Sequence, residues 1–227
     1  MNGFSPYRIV ISPRRRRAAM RIDDEGILEL FLPPGMAASE APRIIASNQR
    51  IITKMYQQFA SRSAPVRYSF TEGEKFPFAG RSLELKFSGR LSMICGNELL
   101  VPAGTPAEVR NRIEKIYRAA APELLREKCR FYGAGRGLIP DTVGVTAATT
   151  RWGSCNSRRH ISFCWKILLL PEELAGYIIC HELAHLKELN HSGAFWALTG
   201  ELCPGALQLR KKLRNISDPW PPAANNI

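Results

Sequence analysis

The sequence lacks the long apolar runs that a membrane-spanning helix requires. Its uninterrupted apolar segments, such as residues 167–170, are only a few residues long, whereas a helix needs about 20 apolar residues to cross a bilayer. The first six residues also contain no apolar stretch of the kind found in a secretory signal peptide. We therefore expect a soluble, cytoplasmic protein.

Cysteine pairs with metal-binding spacing are absent as well. The six cysteines are irregularly spaced, and no two of them form a C-x-x-C pair, the spacing typical of structural zinc sites. Scattered cysteines in a chain without an export signal are expected to remain reduced thiols. The pattern argues against a disulfide-stabilised protein and against a structural zinc site built from cysteine.

Acidic side chains are fewer than basic ones, 20 against 32, which gives a formal net charge of +12. The excess is spread evenly, because residues 1–100 hold 15 basic and 9 acidic groups and residues 101–227 hold 17 and 11. Arg14–Arg17 is the densest cluster, and it predicts either a phosphate-binding patch or a solvated loop. A nucleic-acid partner is therefore one interpretation of the charge, and simple solubility with a high isoelectric point is the other.

Histidine is scarce, yet three of the four histidines fall within residues 181–191. The segment from Pro171 onwards has a helix-start pattern followed by periodic apolar residues, so we predict a buried helix. On that helix His181 and His185 lie one turn apart and point their imidazoles at one place, as a zinc ion requires. Glu182 is then placed to act as general base on the water that such a metal activates.

His191 lies six residues after His185, which on an unbroken helix would put it on the wrong side. We predict that the helix ends near Leu189, that the chain reverses through Asn190 and that the next helix begins with Ser192 as its cap. This reversal would bring His191 back to the metal. Three protein ligands leave a fourth position open for water, which is typical of a catalytic rather than a structural zinc site.

Hydrophobic periodicity and turn residues predict an α+β fold. Short strands are expected at residues 7–11, 18–22 and 27–32, a helix at residues 39–61, and an antiparallel sheet within residues 66–101 that includes Tyr68–Phe70 and a turn at Gly96-Asn97. A long helix should start at Thr105 and kink or break at Pro122. Strands at residues 142–150 and 160–165 should form a hairpin.

These elements suggest three regions in one compact domain. Residues 1–104 form a β-rich N-terminal region with one helix, and residues 105–216 form the helical and hairpin region that holds the metal site. Residues 217–227, which include three prolines, are expected to be a tail that is disordered or extended on the surface.

Three segments of the chain resemble the YgjP-like metallopeptidases, relatives of the SprT-like and WLM groups. They are Arg151–Cys155 (RWGSC), His181–Leu186 (HELAHL) and Asn190–Trp196 (NHSGAFW). The resemblance implies a compact zincin-like fold with His181, His185 and His191 as zinc ligands and Glu182 as the catalytic acid and base.

Some residues depart from that pattern or leave alternatives open. Cys164 stands where an asparagine commonly precedes the tryptophan of the family. The His185-to-His191 spacing also occurs in metzincins, but they have glycine where this chain has Glu188, so we do not assign the chain to them. Glu201 is an alternative third ligand in a gluzincin-like arrangement.

Zinc-dependent peptide hydrolysis is the first functional hypothesis, with Glu182 as general base. The alternatives are a metal-dependent hydrolase of a nucleotide or another phosphate ester, and a DNA-associated protease or binding protein. Arg151 and Tyr177 are the candidates for stabilising the oxyanion.

Overall fold

The computed structural model describes residues 6–23, 25–61, 67–148 and 150–221, in two compact units, residues 1–63 and 64–227. The sequence predicts instead a boundary after residue 104. The observed division follows from packing, because the sheet within residues 75–102 shares its hydrophobic core with the long helix that follows it. Leu83 and Leu85 of that sheet and Ile113 and Tyr117 of the helix are all fully buried in this core.

The first unit contains a three-stranded sheet with two helices. The strands are β1 (Tyr7–Ile11), β2 (Ala19–Ile22) and β3 (Leu28–Leu32), in the order β1-β3-β2. β1 runs parallel to β3, and β2 runs antiparallel to it. All three predicted strands are confirmed. Leu30 and Leu32 point into a small core that also contains Ile45 and Ile52 of the helices.

The prediction of a single helix over residues 39–61 is wrong, because the helix is interrupted once. The structure has two helices, α1 (Ala41–Ser47) and α2 (Gln49–Ala60), separated at Asn48. Asn48 leaves the helical conformation, with φ −115° and ψ 17°, and its Nδ2 donates to the Ile44 carbonyl oxygen at 2.8 Å. Asparagine side chains compete in this way with helical backbone hydrogen bonds, which the apolar periodicity alone does not reveal.

A four-stranded sheet opens the second unit. Its strands are β4 (Lys75–Phe78), β5 (Arg81–Ser88), β6 (Met93–Cys95) and β7 (Glu98–Pro102), in the order β4-β5-β7-β6. The predicted Gly96-Asn97 turn is confirmed, since Cys95 pairs with Glu98 across it. The expectation of a purely antiparallel sheet is wrong, because β6 takes the outer edge of β7 and leaves β7 parallel to β5.

Tyr68–Phe70, predicted as a strand of this sheet, forms no strand. The segment packs through its side chains instead. The Tyr68 ring stacks on Phe76 of β4 at a centroid distance of 4.6 Å. The aromatic residues of this segment therefore pack against the core and do not pair with a neighbouring strand.

The long helix α3 (Pro106–Gly133) begins as predicted. Thr105 and Glu108 form a capping box at its start. The helix continues through Pro122, so the break that proline predicts does not occur. Ala121 and Leu125, on either side of the proline, are buried in the core, and this packing can compensate for the backbone hydrogen bond that proline cannot donate.

The second sheet of this unit lies next to the histidine motif. It consists of β8 (Thr142–Thr146), β9 (Gly153–Cys155) and β10 (His160–Cys164), in the order β8-β10-β9. The predicted hairpin between the first and last of these is wrong, because β8 and β10 are parallel. The hairpin joins β9 to β10 through Asn156 and Arg159, whose backbone groups hydrogen bond at 3.0 Å. β9 is therefore a terminal strand of the sheet.

Three helices complete the unit: α4 (Glu172–Ala184), α5 (Gly193–Leu202) and α6 (Ala206–Arg214). The end of the described chain is not a surface tail, which corrects the expectation for residues 217–221. Trp220 is 1% exposed, its ring lies 5.4 Å from Trp165, and Arg110 Nη2 donates to the Pro221 carbonyl oxygen at 2.9 Å. The rest of the predicted tail, residues 222–227, lies outside the described residues.

All six cysteines are free thiols in the structure. Across the described ranges, none of the helices has both the length and the apolar character that crossing a bilayer demands.

Candidate metal centre

Helix α4 carries the first part of the histidine motif. It begins after Pro171 and is buried along most of its length. The helix ends at Ala184, earlier than the predicted end near Leu189, because the amides of Leu186 and Lys187 bond to carbonyls three residues back. His185 is the C-cap and keeps helical dihedral angles, φ −65° and ψ −16°. The one-turn relation between His181 and His185 is thus preserved.

A short loop returns His191 to these two residues. Ser192 caps α5 as predicted, with its Oγ accepting from the Phe195 amide at 3.3 Å. Asn190 is not among the residues with positive φ, so the reversal uses no left-handed residue there. The three imidazole centroids lie 4.8 to 5.0 Å apart. The loop therefore brings His191 next to His181 and His185.

The three imidazoles form a candidate site for one divalent metal ion. One ligand atom from each of His181, His185 and His191 lies within 4.8 Å of the others, and the Nε2 atoms of His181 and His191 are 3.1 Å apart. Two nitrogen ligands of a tetrahedral zinc ion, each about 2.0–2.1 Å from it, would be roughly 3.3 Å apart. The His181 and His191 nitrogens are close to that separation, and the remaining donors, which lie within 4.8 Å, would have to move closer to bind the same ion.

Hydrogen bonding and burial favour the neutral form of the imidazoles. His185 Nδ1 lies 2.9 Å from the Glu188 carbonyl oxygen, so it carries the proton and leaves Nε2 free as a ligand. Burial, and then the neighbouring His185, lowers the pKa of His181 to about 4, and the same two causes lower the pKa of His191. Neutral imidazoles, which these shifts favour, are the form that binds metal. His181 Nδ1 is buried and has no hydrogen-bond partner within the described residues.

Aromatic side chains of α5 support the ligand rings. The Phe195 ring lies 4.5 to 4.9 Å from all three imidazoles and is fully buried. The Trp196 ring is nearly parallel to that of His191, at 5.8 Å and 27°, and the Arg210 guanidinium lies 4.6 Å from the Trp196 centroid. His191, the exposed member of the triad, is thus held against packed aromatic groups.

Among the residues that the structure describes, Glu182 and Glu29 are the buried charged ones, and Glu182 is 6% exposed. Burial raises the pKa of its carboxyl to about 7, against an opposing effect of the exposed Arg151 guanidinium. A carboxyl with a pKa near neutrality can both accept and return a proton. The environment therefore suits proton transfer better than a permanent ion pair.

Gly153 of β9 makes room for this carboxylate. A Cβ atom at Gly153 would lie 2.7 Å from Glu182 Cγ and Oε1 and 2.8 Å from Cδ. These distances are shorter than real contacts allow, so a side chain at position 153 would displace the Glu182 carboxylate. The sequence contains Gly153 in its RWGSC segment, but neither spacing nor periodicity indicates that it touches a residue on a distant helix.

The other candidate residues occupy different positions. Glu201 forms an ion pair with Arg136 at 3.3 Å and does not belong to the histidine cluster. Tyr177 is buried, with its ring 5.9 Å from that of His181. Cys164, the departure from the family pattern, is buried, and its Sγ lies 3.1 Å from the Ala148 carbonyl oxygen.

One of three comparisons with known proteins identifies a family for this chain. Residues 16–216 match the family model described as YgjP-like, metallopeptidase domain. No curated protein matches the chain. Among solved structures, the metallopeptidase zymogen of Pyrococcus abyssi abylysin is similar at 26% identity, covering 40% of this chain and 90% of that one, with a TM-score of 0.34.

Proposed function

The chain belongs to the YgjP-like metallopeptidase family, and we propose that it is a zinc-dependent peptidase in which Glu182 is the general base. The observation that carries the proposal is the convergence of three imidazoles next to a buried carboxyl whose pKa is raised to about 7. His181, His185 and His191 would hold one zinc ion, and the fold would be of the zincin type.

Each residue of the site has a distinct role in this mechanism. Zinc, when bound, supplies a Lewis acid that polarises the scissile carbonyl and lowers the pKa of water. Glu182 takes a proton from the attacking water and then delivers it to the leaving amine. The burial of Glu182 limits hydration of its carboxylate. The carboxylate packs closely against the backbone of Gly153, which limits its movement towards β9.

The geometry of β9 favours an extended peptide as substrate. As a terminal strand, β9 pairs with β10 along one edge and has no strand on its other edge within the described residues. Such an edge can hydrogen bond to an extended peptide and add it to the sheet. Because Gly153 lies on this strand and against Glu182, the scissile bond of such a peptide would lie near the general base.

A paired substrate assay tests the proposal. We expect the zinc-loaded protein to cleave an unfolded protein, to lose this activity when a chelator removes the metal, and to regain it when zinc is restored. The same protein is not expected to release phosphate from nucleoside triphosphates. Phosphate release without peptide cleavage would instead support the phosphate-ester alternative and contradict peptidase function.

Substitution of Gly153 by alanine tests the contact between β9 and Glu182. The added Cβ would occupy the space of the carboxylate, and a misplacement of about 1 Å in a catalytic group can reduce the rate by about 100-fold. We expect Gly153→Ala to reduce kcat by about that factor and to leave zinc affinity unchanged, as measured by kinetics and by chelator competition.

Gly89→Ala is the matched control, because Gly89 has open space around it and is not at positive φ. It should retain full activity. If Gly153→Ala were as active as this control, Gly153 would have no role in positioning Glu182.

Trp196 is expected to hold the third ligand in place. Replacing Trp196 by leucine removes the ring that packs against His191. Hydrogen-bonded partners of metal ligands contribute about 10- to 100-fold to metal affinity, and we expect this stacking partner to act at the low end of that range. We expect Trp196→Leu to weaken zinc binding by at least about 10-fold, and Trp196→Phe to recover part of the loss. Leu207→Ala, a change at an exposed position of α6, should have no effect. Equal zinc affinity in all of these variants would contradict the assignment.

A further inference from the structure

The connection between β1 and β2 carries four consecutive exposed arginines, Arg14–Arg17. The start of this connection is tied to the sheet: the Arg15 amide donates to the Ser12 carbonyl oxygen at 3.1 Å, and the Ser12 amide donates to that of Leu32 at 2.9 Å. The arginines therefore project from a turn with a defined backbone next to β3. The charged and aromatic side chains around these arginines indicate whether they form a phosphate-binding patch or a solvated loop.

Two further arginines lie on the outer face of the same sheet. Arg8 of β1 and Arg21 of β2 are both in register with Glu29 of β3. Arg21 Nε donates to Glu29 at 2.6 Å, and Arg8 Nη1 lies 3.6 Å from both Glu29 and Asp23. Asp23 also accepts the Ile27 amide at 2.8 Å. Both carboxylates are thus already engaged by groups of the sheet and its turn.

Phe31 links the turn to this face. The guanidinium carbon of Arg15 lies 5.0 Å from the Phe31 ring centroid, and that of Arg21 lies 5.4 Å from it. The Phe31 ring therefore makes cation–π contacts with one guanidinium from the turn and one from β2. We call this surface the arginine face, and its members are Arg8, Arg14, Arg15, Arg16, Arg17 and Arg21.

The positive charge of the arginine face is poorly neutralised. In the described part of the first unit, ion pairs involve Arg8, Arg21 and Arg43, and none joins a member of Arg14–Arg17 to a carboxylate. Residues 1–63 contain ten basic and five acidic side chains. Guanidinium groups bind phosphate through two parallel hydrogen bonds, more specifically than ammonium groups do. A cluster of arginines without carboxylate partners is thus complementary to a chain of phosphates.

We propose that the arginine face binds the phosphate backbone of a nucleic acid. An anionic membrane fits this surface less well, because membrane-bound surfaces usually insert apolar side chains next to their cations. The apolar residues of this face, Val10, Ala19 and Phe31, are half-buried in the sheet. The exposed Ile11 alternates to the other side of β1, in register with the buried Leu32. The inference concerns the first unit and does not depend on the metal site.

Salt-dependent binding of a fluorescent single-stranded oligonucleotide tests the proposal on the full-length chain, in buffer containing a chelator. Each neutralised phosphate of a single strand contributes about 0.7 to the slope of log affinity against log salt concentration. The variant Arg14→Gln/Arg16→Gln/Arg17→Gln should therefore lower this slope by about 2 and weaken binding at low salt by at least about 10-fold. All three positions are exposed, and thermal unfolding of the variant should match that of the wild type.

The matched control removes the same charge from exposed positions of α3, as Lys115→Gln/Arg118→Gln/Arg130→Gln. It should keep a slope close to that of the wild type, which would assign the phosphate contacts to the arginine face. A flat salt response of the wild type, an equal loss in the control variant, or tighter binding to phosphatidylserine vesicles than to the oligonucleotide would overturn the proposal.

Discussion

Substitution of Glu182 by glutamine should reduce peptide hydrolysis by about 1,000-fold while zinc remains bound. Glutamine has nearly the same shape and fills the same buried space against Gly153, but it cannot take a proton from water. General-base catalysis typically contributes 10²- to 10⁴-fold, so we expect kcat to fall by about 1,000-fold. Rates on an unfolded protein substrate and the zinc content of the purified variant measure the two halves of this prediction.

The Glu182→Gln result has an informative control in the same region. Cys155→Ser alters a neighbouring β9 side chain that interacts electrostatically with Glu182 but leaves the carboxylate intact, and it should retain most of the activity. Hydrolysis that persisted at the wild-type rate in Glu182→Gln would exclude Glu182 as the general base.

The second large effect is expected at the metal ligands. His185→Ala removes one of three nitrogen donors and the hydrogen bond that connects the ring to the Glu188 carbonyl. Loss of a group that only hydrogen bonds to a metal ligand lowers metal affinity by about 10- to 100-fold. Loss of the ligand itself should therefore lower it by more than about 100-fold. Competition with a chromophoric chelator measures this change directly, without reference to activity.

The remaining histidine provides the control for this experiment. His160 lies on β10, where its ring contacts Thr142 and Ser162, and it is not part of the triad. His160→Ala should bind zinc as the wild type does. If both variants bound zinc equally well, the ion would have to be held by residues other than the triad.

The sequence predicts the parts of the site that depend on local geometry. His181 and His185 are related by one helical turn, and helical periodicity alone puts them on one face. The cap at Ser192 is a similarly local feature, since its hydroxyl bonds to an amide three residues later. These expectations needed no knowledge of how the elements pack.

Contacts between distant elements could not be predicted in the same way. The space that Gly153 leaves for Glu182 exists only because β9 packs against α4. The parallel pairing of β5 with β7 depends on where β6 adds to the sheet, whereas hairpin patterns describe only adjacent strands. Trp220 follows a segment with the composition of a tail, yet its burial depends on a space between rings such as Trp165 and Phe70. Composition carries no information about such spaces.

X-ray absorption at the zinc edge, on purified protein loaded with zinc, tests whether the three histidines bind one ion. We expect one zinc ion per chain, bound by three imidazole nitrogens from His181, His185 and His191 at about 2.0–2.1 Å and by one further light atom. Failure to take up zinc, a sulfur ligand at about 2.3 Å, or an unchanged spectrum in His185→Ala would contradict it.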